Sequence, residues 1–261
     1  MYAARQNLAM ETLRGLACLL LVAYHVVGSA ALANGLKLPG DHELHRFNEA
    51  LSHLRMPLFT FISGYVYGYR PLSGGLARFL KGKLRRLGLP LIVVGSLFAL
   101  LQYLTPGTSA SHEPVDLWRI YLFPFAHYWY LQALLVIFAL FALLEHAGLT
   151  RRPGALLALL LVLGAMYPYR EQLPAFFSLR QALYLFPYFL LGVLYYRVLE
   201  PRVRAHARLL APVLALLCLG YGGLTPVLDE AATLSHLSLG FSVLLLLLAA
   251  TASLRLRLLA R

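Results

Sequence analysis

Arg14 and His25 lie eleven positions apart in a segment that is otherwise apolar, LRGLACLLLVAYHVV. Along an α-helix, eleven residues complete about three turns, so the two side chains fall on one face about 16 Å apart. Ionisable residues inside a membrane span are costly and usually face a protein interior or a wet cavity, where they carry function. A fixed positive charge near one surface and a titratable imidazole deeper in the segment therefore indicate a path between them along this face.

Both residues also have simpler interpretations. An arginine near a helix end commonly extends its charge to the membrane interface, which accounts for Arg14 without a catalytic role. His25 could equally bond a carbonyl of a neighbouring helix, although its place well inside the apolar segment favours function. Glu11, three residues before Arg14, is close enough to pair with it on a helix.

The second apolar segment, LRMPLFTFISGYVYGYR, offers three further candidate residues. Ser63 and Gly64 are adjacent, and small residues let membrane helices pack closely, so a packing contact is the simpler interpretation for them. Ser63 as a nucleophile lacks the strand-to-helix turn of a GxSxG motif. Arg55, at the outer end, fits either an interfacial anchor or a residue that binds the acceptor, and the sequence leaves both open.

Two later stretches combine cationic and aromatic residues. The loop RFLKGKLRRLGLP is the densest basic cluster, and Lys83 and Arg86 share a face if the following helix begins early. Their charges fit a phosphate-bearing ligand, and equally fit lipid headgroups. In the stretch HYWYLQALL, Trp129 fits an aromatic belt at the membrane interface.

The outer stretch DHELHRFNEALSHLR has apolar residues at helical spacing. That spacing predicts an interfacial helix. His42 and His45, three residues apart, are too few ligands to predict a zinc site, so we expect no metal.

The elements that must position these residues are membrane-length apolar segments. The chain of 261 residues is 60% hydrophobic and 13% charged, with a mean hydropathy of +0.69, against about 45–50% and about 25% in a soluble domain. We expect an all-α, polytopic membrane helical bundle in one domain over residues 1–261, with a first segment too long to be a cleavable signal. The predicted spans, about eight in number, are roughly 12–33, 54–72, 87–105, 125–145, 154–169, 181–198, 209–226 and 237–254.

The distribution of the basic residues is that of a membrane protein rather than that of a nucleic-acid-binding protein. Although the net charge is +12, arginine and lysine concentrate in alternate loops, and the other loops carry most of the acids. This alternation is typical of the positive-inside rule, and it predicts that both termini are cytoplasmic. We therefore expect contact with the lipid bilayer and no nucleic-acid partner.

Four stretches together resemble the acyltransferase 3 family of integral membrane acyltransferases. They are ETLRGLACLLLVAYH with its arginine and histidine, RMPLFTFISGY, LRRLGLP and HYWYLQALL, and they follow the family's order over the first half of the chain. The resemblance assigns His25 and Arg14 to the family's catalytic motif. It places Ser63, Gly64, Arg86 and Trp129 at later motif positions, and Glu11 where members often have Asp. Together with Arg55 and Lys83, these are the residues that we expect to bind acyl-CoA or the acceptor.

The resemblance implies a multi-pass enzyme of a bacterial inner (plasma) membrane. It implies transfer of an acyl group, commonly acetyl, from acyl-CoA as co-substrate to a hydroxyl of a cell-envelope or exported carbohydrate, that is, O-acetylation of a polysaccharide, with no bound cofactor. Arg14, Lys83 and Arg86 would hold the phosphates of CoA, and His25 would act as general base or accept the acyl group itself. Any second transfer step would need a separate periplasmic partner.

One departure and two rival functions accompany this resemblance. Family members typically carry further C-terminal helices, so the resemblance implies a C-terminally shortened member whose activity is in question. A transporter or flippase for a lipid-linked or anionic solute would also use a membrane arginine and histidine on one face, but we find no inverted pairing of segments. A non-catalytic membrane subunit is the third interpretation.

Overall fold

The structure is a computed structural model that describes residues 2–28, 35–36, 38–39, 42–72, 74–105 and 117–206. Every regular element within these ranges is helical, which confirms the all-α prediction. The α-helices are α1 (Tyr2–Val27), α2 (Glu43–Ala50), α3 (Ser52–Tyr69), α4 (Leu76–Lys83), α5 (Leu89–Leu104), α6 (Arg119–Leu122), α7 (Trp129–His146), α8 (Pro153–Met166), α9 (Leu179–Leu194) and α10 (Glu200–Ala205). Leu84–Gly88 and Tyr195–Leu199 are π-helical turns, and Tyr167–Gln172 and Phe176–Ser178 are 3₁₀ turns.

The chain forms two compact units, Met1–Gly68 with Tyr188–Arg261, and Tyr69–Pro187. In the first unit, α3 packs against the second half of α9, and Phe61 and Phe189 are fully buried there. The phenol of Tyr65 donates a hydrogen bond to Glu200 Oε1 at 3.2 Å, which links α3 to α10. The prediction of a single domain over residues 1–261 stays a prediction.

The second unit is built around α7, whose side chains Ile137 and Phe141 are fully buried. A second cluster of buried residues, which includes Leu91, Ile120 and Tyr128, joins α5, α6 and the residues before α7. The Tyr128 phenol donates a hydrogen bond to the Val94 carbonyl at 3.4 Å.

Four helical stretches in the described part of the chain are long and apolar enough to cross a bilayer. They are Leu76–Leu104, Trp129–His146, Pro153–Gln172 and Phe176–Arg202, and they correspond to the third to sixth predicted spans. The apolar part of α1 reaches only from Leu13 to Val27, and α3 covers most of the second predicted span. The predicted spans 209–226 and 237–254 lie outside the described residues, so the number of eight and the orientation of the termini stay predictions.

Two predicted boundaries were wrong. The first helix ends at Val27 rather than near residue 33, because Gly28 takes a positive φ of 81° that stops an α-helix. The basic stretch before the third span is helical rather than a loop, since α4, a π-helical turn and α5 follow one another without a break. The helix predicted between the first two spans is confirmed as α2, and its place at the outer membrane interface stays a prediction.

Candidate functional site

The face of α1 that carries Arg14 and His25 is exposed from one residue to the other. Leu13 and Ala17, on the flank of the helix next to Arg14, are buried, whereas Arg14, Cys18, Val22 and His25 are all exposed. These four residues follow one another at helical spacings of four, four and three. We call this row the α1 strip; a Cβ added to the adjacent Gly15 would meet nothing within 4 Å. Glu11, one turn before Arg14, is exposed as well.

The end of the α1 strip at His25 is bordered by aromatic and polar side chains. The rings of Tyr24 and His25 meet edge to face, with 5.3 Å between their centroids and 67° between their planes. The guanidinium carbon Cζ of Arg55 lies 4.2 Å from the centroid of the Tyr24 ring. Arg55 itself is only 6% exposed, so its charge is enclosed rather than presented at a surface.

Ser63 and Gly64 take part in helix packing. The hydroxyl of Ser63 donates to the Phe59 carbonyl one turn earlier, at 3.0 Å, which occupies its donor with the backbone of its own helix. A Cβ added to Gly64 would collide with the carbonyl oxygen of Phe189. The simpler interpretation, a close helix contact, is thus the one that this geometry supports, and a substrate contact for either residue stays a prediction.

Lys83 and Arg86 belong to the second unit, on α4 and on the π-helical turn that follows it. The Lys83 ammonium lies 3.5 Å from the centroid of the Phe138 ring and 5.2 Å from that of Phe79. Arg86 is exposed and close enough to Lys83 to repel its positive charge. Among the described residues, no salt bridge joins either side chain to an acid.

Trp129 is the first residue of α7, and it is half-buried against Tyr130 with 6.1 Å between ring centroids. The start of α7 is held by Gln132, which is fully buried. Its amide nitrogen donates to the carbonyls of Ile120 and Phe123 at 3.1 and 3.3 Å, and its oxygen accepts a 2.6 Å hydrogen bond from the Ser178 hydroxyl.

A family model described as an acyltransferase domain matches residues 7–261. The chain belongs to the acyltransferase 3 family. Membership in this family, together with the apolar helices, identifies a membrane acyltransferase. Neither the comparison with curated proteins nor that with solved structures yields a match.

In this acyltransferase, two groups of candidate residues emerge from the sequence. Glu11, Arg14 and His25 share α1 in the first unit, and Lys83, Arg86 and Trp129 lie in the second unit. The described residues contain no group of three or more histidine, cysteine or acidic side chains that could hold a metal ion.

The sequence did not reveal Asn48 and Gln132 as buried polar residues of this acyltransferase. Each is enclosed and donates hydrogen bonds to backbone carbonyls outside its own helix, Asn48 to Gly28 and Gln132 to Ile120 and Phe123. In the sequence, only one feature could have indicated that these residues are buried. Each is an uncharged amide at a position where an amphipathic or apolar helix would place a core residue. That signal is weak because exposed amides are common.

Proposed function

We propose that this acyltransferase moves an acyl group, acetyl in the first instance, from acyl-CoA to a hydroxyl of a cell-envelope or exported carbohydrate. The observation that supports it is the α1 strip, which joins a guanidinium to an imidazole along one exposed helix face. Arg14 attracts an anionic group of the donor, and the small residues Gly15 and Cys18 leave room for an extended arm between Arg14 and His25. A transporter would have no need of a thioester donor, and family membership favours the acyltransferase.

His25 acts as the general base in this proposal. Its neutral imidazole takes the proton from the sugar hydroxyl while the hydroxyl oxygen attacks the carbonyl carbon of the thioester. The carbon–sulfur bond then breaks, and the CoA sulfur leaves with the electron pair of that bond. The imidazolium returns the proton to the sulfur, so the products are an ester and a free thiol.

We expect His25→Ala to lower the rate of thiol release from acetyl-CoA by about 10²- to 10⁴-fold, because a positioned general base contributes that much. The measurement uses proteoliposomes that contain equal amounts of folded protein, with a crude envelope-glycan extract as acceptor and a thiol reagent as detector. Radiolabelled acetyl groups, followed into protein and into glycan, distinguish direct transfer from an acyl-histidine, since only the latter labels the chain in the absence of acceptor.

The matched control is His146→Ala. Like His25, His146 is an exposed histidine in the last turn of its helix, but it lies on α7 in the second unit. We expect this variant to retain the wild-type rate. An unchanged rate in His25→Ala, or an equal loss in both variants, would contradict the role proposed for His25.

The proposed setting is a bacterial inner membrane, with the Arg14 end of α1 at the cytoplasmic side, where CoA is made. The basic loops support this orientation through the positive-inside rule. Any second transfer step on the far side of the membrane needs a separate periplasmic transferase. Thiol release by right-side-out and inside-out vesicles, with acetyl-CoA added outside, tests the donor side.

A further inference from the structure

The last turn of α1, which carries His25, is fastened by the buried side chain of Asn48. The amide nitrogen of Asn48 donates a 3.0 Å hydrogen bond to the carbonyl of Gly28, the residue at which the helix stops. Gly28 in turn donates its N–H to the Tyr24 carbonyl at 2.8 Å. Asn48 is only 5% exposed, so its hydrogen-bonding groups must be satisfied within the protein. It therefore holds in place the residue at which α1 ends.

Arg55 contacts both Asn48 and Tyr24. One terminal nitrogen of its guanidinium donates to both the backbone carbonyl and the side-chain oxygen of Asn48, at 2.7 and 2.8 Å. The guanidinium carbon also lies over the Tyr24 ring, an arrangement that attracts the charge to the ring face. A buried charge with several specific partners has a single orientation, because leaving any of those partners costs free energy.

The contact reaches His25 through Tyr24, whose ring touches both the guanidinium and the imidazole. We propose that Asn48 and Arg55 are positioning residues. They set the place and the ring orientation of His25 through Gly28 and Tyr24, and they do not contact the substrate. This inference rests on His25 as the base of the proposed function. It replaces the two roles that the sequence left open for Arg55, since a side chain that is 6% exposed is not presented to an acceptor.

The kinetic test compares Arg55→Lys and Asn48→Asp with the wild type in the acetyl-CoA assay. Lysine keeps the charge of Arg55 but cannot donate to Asn48 and cover Tyr24 in the same planar geometry. Aspartate keeps the shape of Asn48 and the acceptor for Arg55, but loses the donor to Gly28. We expect kcat to fall by about 10- to 100-fold in both variants, as small displacements of a catalytic group do. KM for the donor and the acceptor should stay unchanged.

Arg180→Lys is the matched control. Arg180 also donates to a backbone carbonyl, that of Leu173 at 2.6 Å, but it lies in the second unit, so we expect wild-type kinetics. A rise in KM for the acceptor, with kcat retained, would show that Arg55 binds substrate and would overturn the proposal. Equal losses in Arg180→Lys would overturn it as well, because they would reveal a general effect of such substitutions.

A second readout does not depend on acyl transfer. Diethyl pyrocarbonate modifies exposed imidazoles, and peptide mass spectrometry gives the rate at His25 relative to His146 within the same molecules. In Asn48→Asp and Arg55→Lys we expect this ratio to rise several-fold, because the turn and ring of His25 lose their support. An unchanged ratio would overturn the positioning role, even if His25→Ala abolishes activity. A raised ratio with an active His25→Ala would instead overturn the function proposed for His25.

Discussion

Lys83 and Arg86 are two neighbouring cations with different surroundings. The Lys83 ammonium lies over the Phe138 ring, which holds the charge in place through its electron-rich face. Arg86 is exposed and repels Lys83. An anion that contacts both charges would relieve this repulsion, and a guanidinium fork suits phosphate oxygens. The pair is therefore suited to a phosphate group of the proposed donor, or to the phosphate of a lipid.

A comparison of two acyl donors, acetyl-CoA and acetyl-pantetheine, tests whether Lys83 and Arg86 bind phosphate or affect the enzyme in a way that does not depend on phosphate. We expect Lys83→Gln and Arg86→Gln each to raise KM for acetyl-CoA by about tenfold or more, the cost of a lost charge-assisted hydrogen bond. KM for acetyl-pantetheine, which lacks phosphate, should not change. The control is Arg85→Gln, an exposed neighbour on the same turn. Equal effects on the two donors would contradict a role in phosphate binding.

The spacing of Arg14 and His25 was sufficient to place both on one helix face, because helical geometry is local. The surroundings of Arg55 were not predictable in the same way. Its partner Asn48 lies seven residues away on a different helix, and its stacking partner Tyr24 lies further still. Such contacts depend on how the helices pack, and no periodicity in the sequence encodes them.

At the scale of elements, α3 and the second half of α9 approach each other through two glycines. A Cβ on Gly64 would collide with the Phe189 carbonyl, and one on Gly192 would collide with the Phe61 carbonyl. Each glycine thus faces the backbone of the other helix. Such reciprocal contacts are the means by which membrane helices pack closely in the absence of a hydrophobic driving force.

We expect Gly64→Ala and Gly192→Ala each to destabilise the protein by about 1–3 kcal/mol, the usual cost of overpacking. The measurement is thermal unfolding in detergent, followed by the loss of monodisperse protein. Gly164→Ala is the control, since nothing lies within 4 Å of a Cβ added there on α8, and alanine favours a helix. A Gly64→Ala protein as stable as the wild type would show that the helices can separate without cost.

Helices were easier to predict than their ends. The apolar stretches within α5, α7 and α9 are long enough to identify from hydropathy alone. The end of α1 depends on the conformation of a single glycine, and the helical form of the basic stretch at α4 depends on Phe79 packing against Phe138. Hydropathy contains no information on either, because an amphipathic helix with three cations and a loop have similar average polarity.

For the whole molecule, the distribution of charge is the main guide to topology. Arg78, Arg151 and Arg202 are exposed near the ends of helices in the described part of the chain, on segments that the positive-inside rule assigns to the cytoplasm. Glu171 lies at the other end of the stretch Pro153–Gln172, on a segment assigned to the outer side. The two ends of the stretch Pro153–Gln172 can therefore be used to test which side of the membrane each loop occupies.

We expect a cysteine at position 171 to react with a membrane-impermeant maleimide in intact cells, and one at position 152 to react only after the membrane is opened. The variants are Glu171→Cys and Arg152→Cys, in a background with Cys18→Ala and Cys218→Ala. The background protein alone controls for other thiols. Labelling of both positions from outside would mean that this stretch does not cross the membrane, and the reverse pattern would invert the predicted topology.

The π-helical turn at Leu84–Gly88 changes the rotation of the charged helix α4 about the helix axis relative to the apolar helix α5. A turn closed by i→i+5 bonds holds one residue more than an α-helical turn, and one residue corresponds to about 100° around the axis. A continuous α-helix over the same residues would have the same hydropathy profile and the same cations. It would nevertheless rotate Lys83 away from Phe138 relative to α5. Related chains with matching composition can thus differ in ligand binding through the phase of one turn.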